Sequence, residues 1–182
     1  MPVIRLAMWL LGAFLLGGIV HLASVLLLPG MATQDAYARV SAIAPVNAVI
    51  SIPAPTPEGA VMPFMDPAFA VSVCRYDLAR GSLKFSVPIS PAYTSVSFYT
   101  RSDIPYYAIN DRAAGRRVIE LDLMTPAQRA AMPEDQDVTR ADRLIVTSPT
   151  DTGLIVIRAL APEPGWEPAA RRALAAAQCR VQ

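Results

Sequence analysis

The sequence predicts a mainly β protein: one N-terminal transmembrane helix, then an antiparallel β-sheet or sandwich domain with two short helices. Three observations predict it. Residues Leu6 to Leu28 contain no Asp, Glu, Lys or Arg. Beyond Asp66, short apolar–polar alternations recur with turn chemistry between them. Helix signals there are confined to 125–133 and 167–179. The implied layout is a cytoplasmic tail at 1–5, a transmembrane helix at 6–28, a proline-rich linker with a short helix at 29–67, and an extracytoplasmic β domain at 68–182.

The apolar run is long enough to span. At about 1.5 Å per residue it covers roughly 34 Å, against a bilayer core of about 30 Å. Arg5 precedes it, Trp9 sits near its start, and Pro29-Gly30 closes it. A cleaved signal peptide carries a shorter apolar region of about 7–15 residues. Gly30-Met31-Ala32 offers only a weak cleavage site, so a retained anchor is expected. Arg5 and the amino terminus favour a cytoplasmic N-terminus, which places the rest in the periplasm of a bacterial inner membrane; Arg39 weakens that bias.

The single histidine of the chain, His21, lies inside this run. On a helical wheel Ala13, Gly17, His21 and Ser24 fall within an arc of roughly 80°. Small residues allow close helix approach and polar ones bond across the gap, so these four form a candidate seam for a partner helix. The alternative is a neutral histidine satisfied locally by water or a carbonyl.

Six prolines fall between 45 and 67. They remove backbone donors and favour extended chain, which suits a tether or an edge segment. Val61, Met62, Phe64 and Met65 suggest that part of it packs on the domain. Helical spacing at Tyr37, Val40 and Ile43 suggests a short helix with Thr33 as its cap.

The strands follow in order. "FAVSVCRY" comes first. "SLKFSVP" turns Leu83, Phe85 and Val87 to one face, and "TSVSFYT" does the same with Val96 and Phe98. "YYAIN" is next. "RVIELDL" sets Ile119, Leu121 and Leu123 apart from Val118, Glu120 and Asp122. "RLIVTS" precedes "GLIVIRAL", which is apolar on both faces as a doubly covered central strand would be. Ala79-Arg80-Gly81, Asn110 to Gly115 and Pro149 to Gly153 supply turns. Short connections favour antiparallel pairing. In "TPAQRAAMP", Thr125 caps, Pro126 starts, Gln128 completes a capping box and Pro133 stops the helix. "EPAARRALAAAQC" is a terminal helix anchored by Leu174 and ending near Cys179.

Two cysteines in an exported domain can pair. Cys74 shares a strand face with Ala70, Ser72 and Tyr76, a face the terminal helix could cover. A Cys74–Cys179 bridge and two buried thiols both fit these residues.

Several chemistries are excluded. Basic and acidic side chains number 16 and 15, and no basic stripe suggests nucleic acid. With no histidine outside the apolar run, histidine-dependent triads and soluble histidine metal sites cannot form within this chain. No C-x-x-C and no phosphate-binding glycine pattern appears. Glu134, Asp135, Asp137 and Asp142 cluster, but without an EF-hand's glycine and spacing they read as a solvated loop. No metal or cofactor is expected. "SFYTRSDIPYYAINDRAAGRR" holds a candidate recognition surface: Tyr99, Arg101, Tyr106, Tyr107, Asn110, Asp111 and Arg112. Its plainer reading is a strand pair with half-buried tyrosines.

"HLASVLLLPGMATQDAYARV", "FMDPAFAVSVCRYDL", "SVSFYTRSDIPYYAINDRAAGRR" and "LMTPAQRAAMPED" resemble small bacterial membrane proteins of the family known as domain of unknown function 1254. The resemblance implies an anchor followed by a mainly β domain. In larger members a domain of unknown function 1214 follows, so a separate polypeptide carrying that domain is the expected partner, alongside the lipid bilayer. No reaction or catalytic residue carries over. The expectation is a single-pass inner-membrane protein acting as a binding or assembly component of an envelope complex. The alternatives are an envelope enzyme completed by a partner, and a small-ligand-binding domain.

Overall fold

The computed structural model describes residues 2–31, 35–115, 117–132 and 144–182, with the backbone alone at 29 and 30. Thr33, Pro133 and the carboxylates Glu134, Asp135, Asp137 and Asp142 lie outside the described residues. The chain separates into two compact units, Met1–Gln34 and Asp35–Gln182.

The first unit is one helix, α1 (Pro2–Met31). Within Pro2–Leu28 an 18-residue stretch reaches a mean hydropathy of 2.3, and the helix has the length and composition required to cross a membrane. The helix does not stop at Pro29-Gly30. A proline removes a single N–H, so only the Val25 carbonyl loses its intrahelical donor and the last turn survives. Among the described residues none of its apolar side chains is buried within the unit: Trp9 is 79% exposed and Leu26 78%.

The second unit is built on two sheets. β1 (Val49–Ile52), β2 (Phe69–Asp77), β8 (Thr152–Leu160), β4 (Thr94–Thr100) and β5 (Pro105–Asn110) form an antiparallel sheet in that order. β7 (Leu144–Thr147), β6 (Val118–Met124), β3 (Leu83–Pro88) and β9 (Gln178–Val181) form the other. The inner faces are those read from the alternation. Leu83, Phe85 and Val87 of β3 and Ile119, Leu121 and Leu123 of β6 are buried with Val96, Phe98, Ile155 and Ile157 from the opposite sheet. Phe85 meets Phe98 edge-on across the layer at 6.2 Å. Each such side chain contributes roughly 1.5–3 kcal/mol by burial.

β8 sits in the middle of the five-stranded sheet, and its doubly apolar pattern has the expected cause. Ile155, Ile157 and Ala159 face the other sheet, while Leu154 and Val156 face a smaller cluster on the outside. α2 (Ala36–Ser41) covers that outer face, burying Val40 over Val73 and Leu154.

Within 29–67 the chain forms the short helix α2 and the edge strand β1, and Val61, Met62 and Met65 pack on the outer cluster. Several expectations are corrected. Phe64, expected to pack with them, is fully exposed. Asp35 caps α2, accepting from the Ala38 N–H. Pairing is not antiparallel throughout: β7 runs parallel to β6. The 125–143 connection is long enough for the crossover that a parallel pair needs, and it opens with α4 (Pro126–Ala130), whose Thr125–Gln128 capping box forms as read. Finally, the terminal helix α5 (Glu167–Ala175) stops early, and Cys179 lies in β9, not at a helix end. Alanine favours continuing the helix, but pairing of Cys179 with Phe85 on β3 overrides that small preference. A one-turn helix, α3 (Asp111–Ala114), also forms where only a turn was expected. Asn110 caps it and Gly115, at φ 61°, closes it in the left-handed region.

Candidate functional site

The cysteines are bridged. Cys74 on β2 and Cys179 on β9 form a disulfide with Cα atoms 6.5 Å apart. Because β2 and β9 belong to different sheets, the bond ties the two layers together. Ala70 and Tyr76, on the Cys74 face, are buried with it beside Ala170 and Leu174 of α5.

In α1 the helix is continuous, so Ala13, Gly17, His21 and Ser24 do share one face. Ser24 Oγ donates to the Val20 carbonyl at 2.8 Å, which leaves its lone pairs, not its proton, for a neighbour.

The residues of the aromatic stretch do not form one surface. Tyr99 lies in the outer cluster under α2. Tyr106 and Tyr107 pack on the inner core, their rings 6.2 and 5.7 Å from that of Phe98. Consecutive strand residues ordinarily point opposite ways. Here the pairing shifts between Phe98 and Tyr99, with Phe98 opposite Tyr107 and Tyr99 opposite Pro105, so Tyr106 is an extra residue in a bulge. Burial pushes both phenols above their ordinary range. Tyr106 also joins a buried polar knot. The Tyr76 hydroxyl lies 3.1 Å from Tyr106 Oη, 2.9 Å from Ser148 Oγ and 3.2 Å from the Tyr99 carbonyl. Asn110 is spent on capping α3, its Oδ1 accepting from Ala113 N–H at 3.0 Å. Asp111 and Arg112 lie in that turn of helix, with Arg112 exposed.

Arg101 instead helps dock α2. Its guanidinium donates to Asp35 at 3.0 Å and lies 4.1 Å over the Tyr37 ring. Two residues on, Asp103 accepts from the Ala36 N–H at 3.0 Å. The turn between β4 and β5 therefore clasps the start of α2 with one cation and one carboxylate. The partial burial of Asp35 raises its pKa, but the Ala38 N–H and Arg101 outweigh it and hold the carboxyl below its usual value. Asp103 sits above its usual value: burial, with Asp35 close by, outweighs the Ala36 and Tyr37 N–H groups.

The clasp, α2 and the 62–66 segment frame a feature that the sequence reading missed. A cleft of about 600 Å³ opens on the outer face of the five-stranded sheet. Val71 and Val73 of β2 and Leu154 and Val156 of β8 floor it, with Ile52 at the edge strand. One end is polar: Arg158, opposite Ser95 in register, stands with Tyr93 and Asp66. The signal was present in β2 and β8, which are apolar on both faces when only one face is needed for the inner core. Among the described residues no group of three His, Cys, Asp or Glu side chains could hold a metal.

These features define a class: a two-sheet β domain, closed by a disulfide between its layers, in a chain that also carries one long apolar helix. Residues 46–180 match the family model described as "Protein of unknown function (DUF1254)", and the chain belongs to that family. Among solved structures it is similar to the VPA0106 protein from Vibrio parahaemolyticus, at 13% identity and a TM-score of 0.59, over 81% of this chain and 34% of that one. It is also similar to an uncharacterised protein from Burkholderia cenocepacia, at 15% identity and a TM-score of 0.44, over 70% and 35%. The chain thus spans about a third of either structure's length. The first likeness carries the fold. No curated protein matches the chain.

Proposed function

We propose that this chain is a single-pass inner-membrane protein whose β domain works in the periplasm as a binding component of an envelope assembly. One observation carries the reading: a helix whose described apolar side chains are unburied within their own unit occurs in the same chain as a domain locked by a disulfide. The first requires lipid or a partner, and the second requires an oxidising space. Arg5 at the start of α1 favours a cytoplasmic N-terminus. The cleft supports binding as the domain's task, because an apolar floor with one polar end is the usual make-up of a ligand site. The partner meets the Ala13, Gly17, His21 and Ser24 face of α1, where small side chains permit close approach and the imidazole bonds across. A membrane protein carrying the companion domain of unknown function 1214 is the partner proposed.

The test is purification of the full chain from envelope membranes in mild detergent. A second protein at equal stoichiometry is expected. His21→Leu should lose most of it while the chain stays in the membrane fraction. A chain that purifies alone, or a variant that retains the second protein in full, overturns the partner and its seam. Recovery of the chain in the soluble fraction overturns the anchor.

A further inference from the structure

We propose that the cleft on the five-stranded sheet binds a single-chain amphiphile with an anionic head. The head sits at Arg158 and the chain lies over Val71 and Val156, beneath Met62 and Met65. This rests on reading the domain as a binding component and names the ligand class it takes.

The argument begins with register. Leu154, Val156 and Arg158 alternate along β8 on the same face of the sheet, with Val73 of β2 opposite Val156 and Val71 opposite Arg158. At about 3.4 Å per residue, the row from Leu154 to Arg158 is roughly 14 Å long. Its deep end is sealed, since Leu154 and Val73 are buried by α2. Val156 in its middle and Val71, across from Arg158, are only half-buried. Its far end carries a cation. The floor thus grades from hydrocarbon to charge along one line, as an amphiphile does.

Charge then selects the sign of the head. Three ionic side chains line the cleft: Asp66, Asp103 and Arg158. Both carboxylates are engaged by backbone donors, Asp103 by the Ala36 N–H at 3.0 Å and Asp66 by the Ala68 N–H at 2.9 Å. Arg158 makes no ion pair or side-chain hydrogen bond among the described residues. A planar guanidinium with its donors free, beside Ser95 and Tyr93, suits a carboxylate or phosphate.

The roof selects a flexible chain. Met62 and Met65 are unbranched and polarisable, and they fit irregular apolar shapes. Between them Phe64 is fully exposed and adopts φ 57°, a conformation that costs a non-glycine residue of order 1–3 kcal/mol. An aromatic ring held outward in that way, on the rim of an apolar cleft, gains burial when a chain lies beside it. The volume of about 600 Å³ falls within the range of small-molecule sites.

The test uses the full chain, disulfide intact, in phosphatidylcholine nanodiscs with its methionine methyl groups labelled with carbon-13. Dodecanoate is the probe, with dodecanol and acetate as the headless and tailless controls. Dodecanoate should shift the Met62 and Met65 methyl signals saturably. Arg158→Gln, at an exposed position, should weaken that affinity at least tenfold and leave dodecanol binding unchanged. Phe64→Ser should weaken both. Acetate alone should leave the methyl signals in place. Absence of a saturable shift overturns the proposal, as does equal dodecanoate affinity in Arg158→Gln. If the titration fails while the second protein is still retained in detergent, the amphiphile is removed and the binding-component reading stands. If both fail, both are removed.

Discussion

Opening the Cys74–Cys179 bridge is the sharpest test of how the domain is held together. The bond closes a loop with a sequence separation of 105 residues. In the chain-entropy model such a loop restricts the unfolded ensemble enough to contribute about 4–5 kcal/mol. Domains of this size have a net stability of about 5–15 kcal/mol, so a third or more depends on one bond. The loss has a local component as well. β9 is a four-residue edge strand paired with β3 alone, and the bridge is its only covalent tie to the opposite sheet. Urea unfolding of the full chain in micelles, with and without reductant, measures the effect. For a slope of about 2 kcal/mol/M, the midpoint should fall by about 2 M on reduction. Cys74→Ala with Cys179→Ala should fall at least as far, because both sulfurs are buried and truncation adds a small void. Amide exchange in β9 should accelerate more than in β8. A midpoint that moves by less than about 0.3 M would refute the reasoning, since it would mean that the unfolded chain gains no freedom when the loop opens.

Gly153→Ala should cost roughly 3 kcal/mol and lower Tm by about 10 °C, because a Cβ there would collide with the Tyr99 carbonyl and the Tyr76 hydroxyl, both fixed in the buried knot. An unchanged Tm would show that Tyr76 can step aside without loss. Asp103→Asn keeps the acceptor for Ala36 N–H and tolerates the φ of 59°, but it does not ionise. Burial raises the wild-type carboxyl above its unfolded value, so the fold loses stability as pH rises through the folded value. The variant should therefore gain on the wild type above that pH and show no gain below it. Parallel pH profiles of the urea midpoint would refute this.

Much of the fold was legible because period-two alternation reports directly on burial. β3, β4 and β6 each bury the face that their alternation marks. The capping box at Thr125 was legible because two side chains three positions apart satisfy two backbone donors, a strictly local event. What was missed is non-local. β9 lies in an alanine-rich tail whose intrinsic preference is helical, and only β3 and the disulfide make it a strand. The parallel β7 depends on a crossover, which alternation does not encode. Prolines marked 45–67 as extended, but not that β1 would pair with β2. For the site, residue type proved a poor guide. The tyrosines and arginine grouped as a surface are parted by a bulge and by the docking of α2. The cleft was overlooked because its residues are apolar, and apolar residues were assigned to the core.

The fold places its two apolar faces under different constraints. The inner layer is covered by a second sheet, tied by a covalent bond and filled by aromatic contacts such as Phe85–Phe98. Strands buried in this way open only on near-global unfolding. The outer face has no second sheet. Six-residue α2 and the 62–66 segment cover it in part, and α2 is held there by the buried Val40, an ion pair, one stacked ring and one carboxylate. An ion pair of this kind contributes about 0–1 kcal/mol and one buried valine roughly 1.5–3 kcal/mol, so this cover is held by far less than the layer beneath. The binding role proposed for the outer face needs that asymmetry. The cleft can change shape because the sheet under it does not have to, and the disulfide, by fixing the inner layer, makes the weaker cover on the outside tolerable.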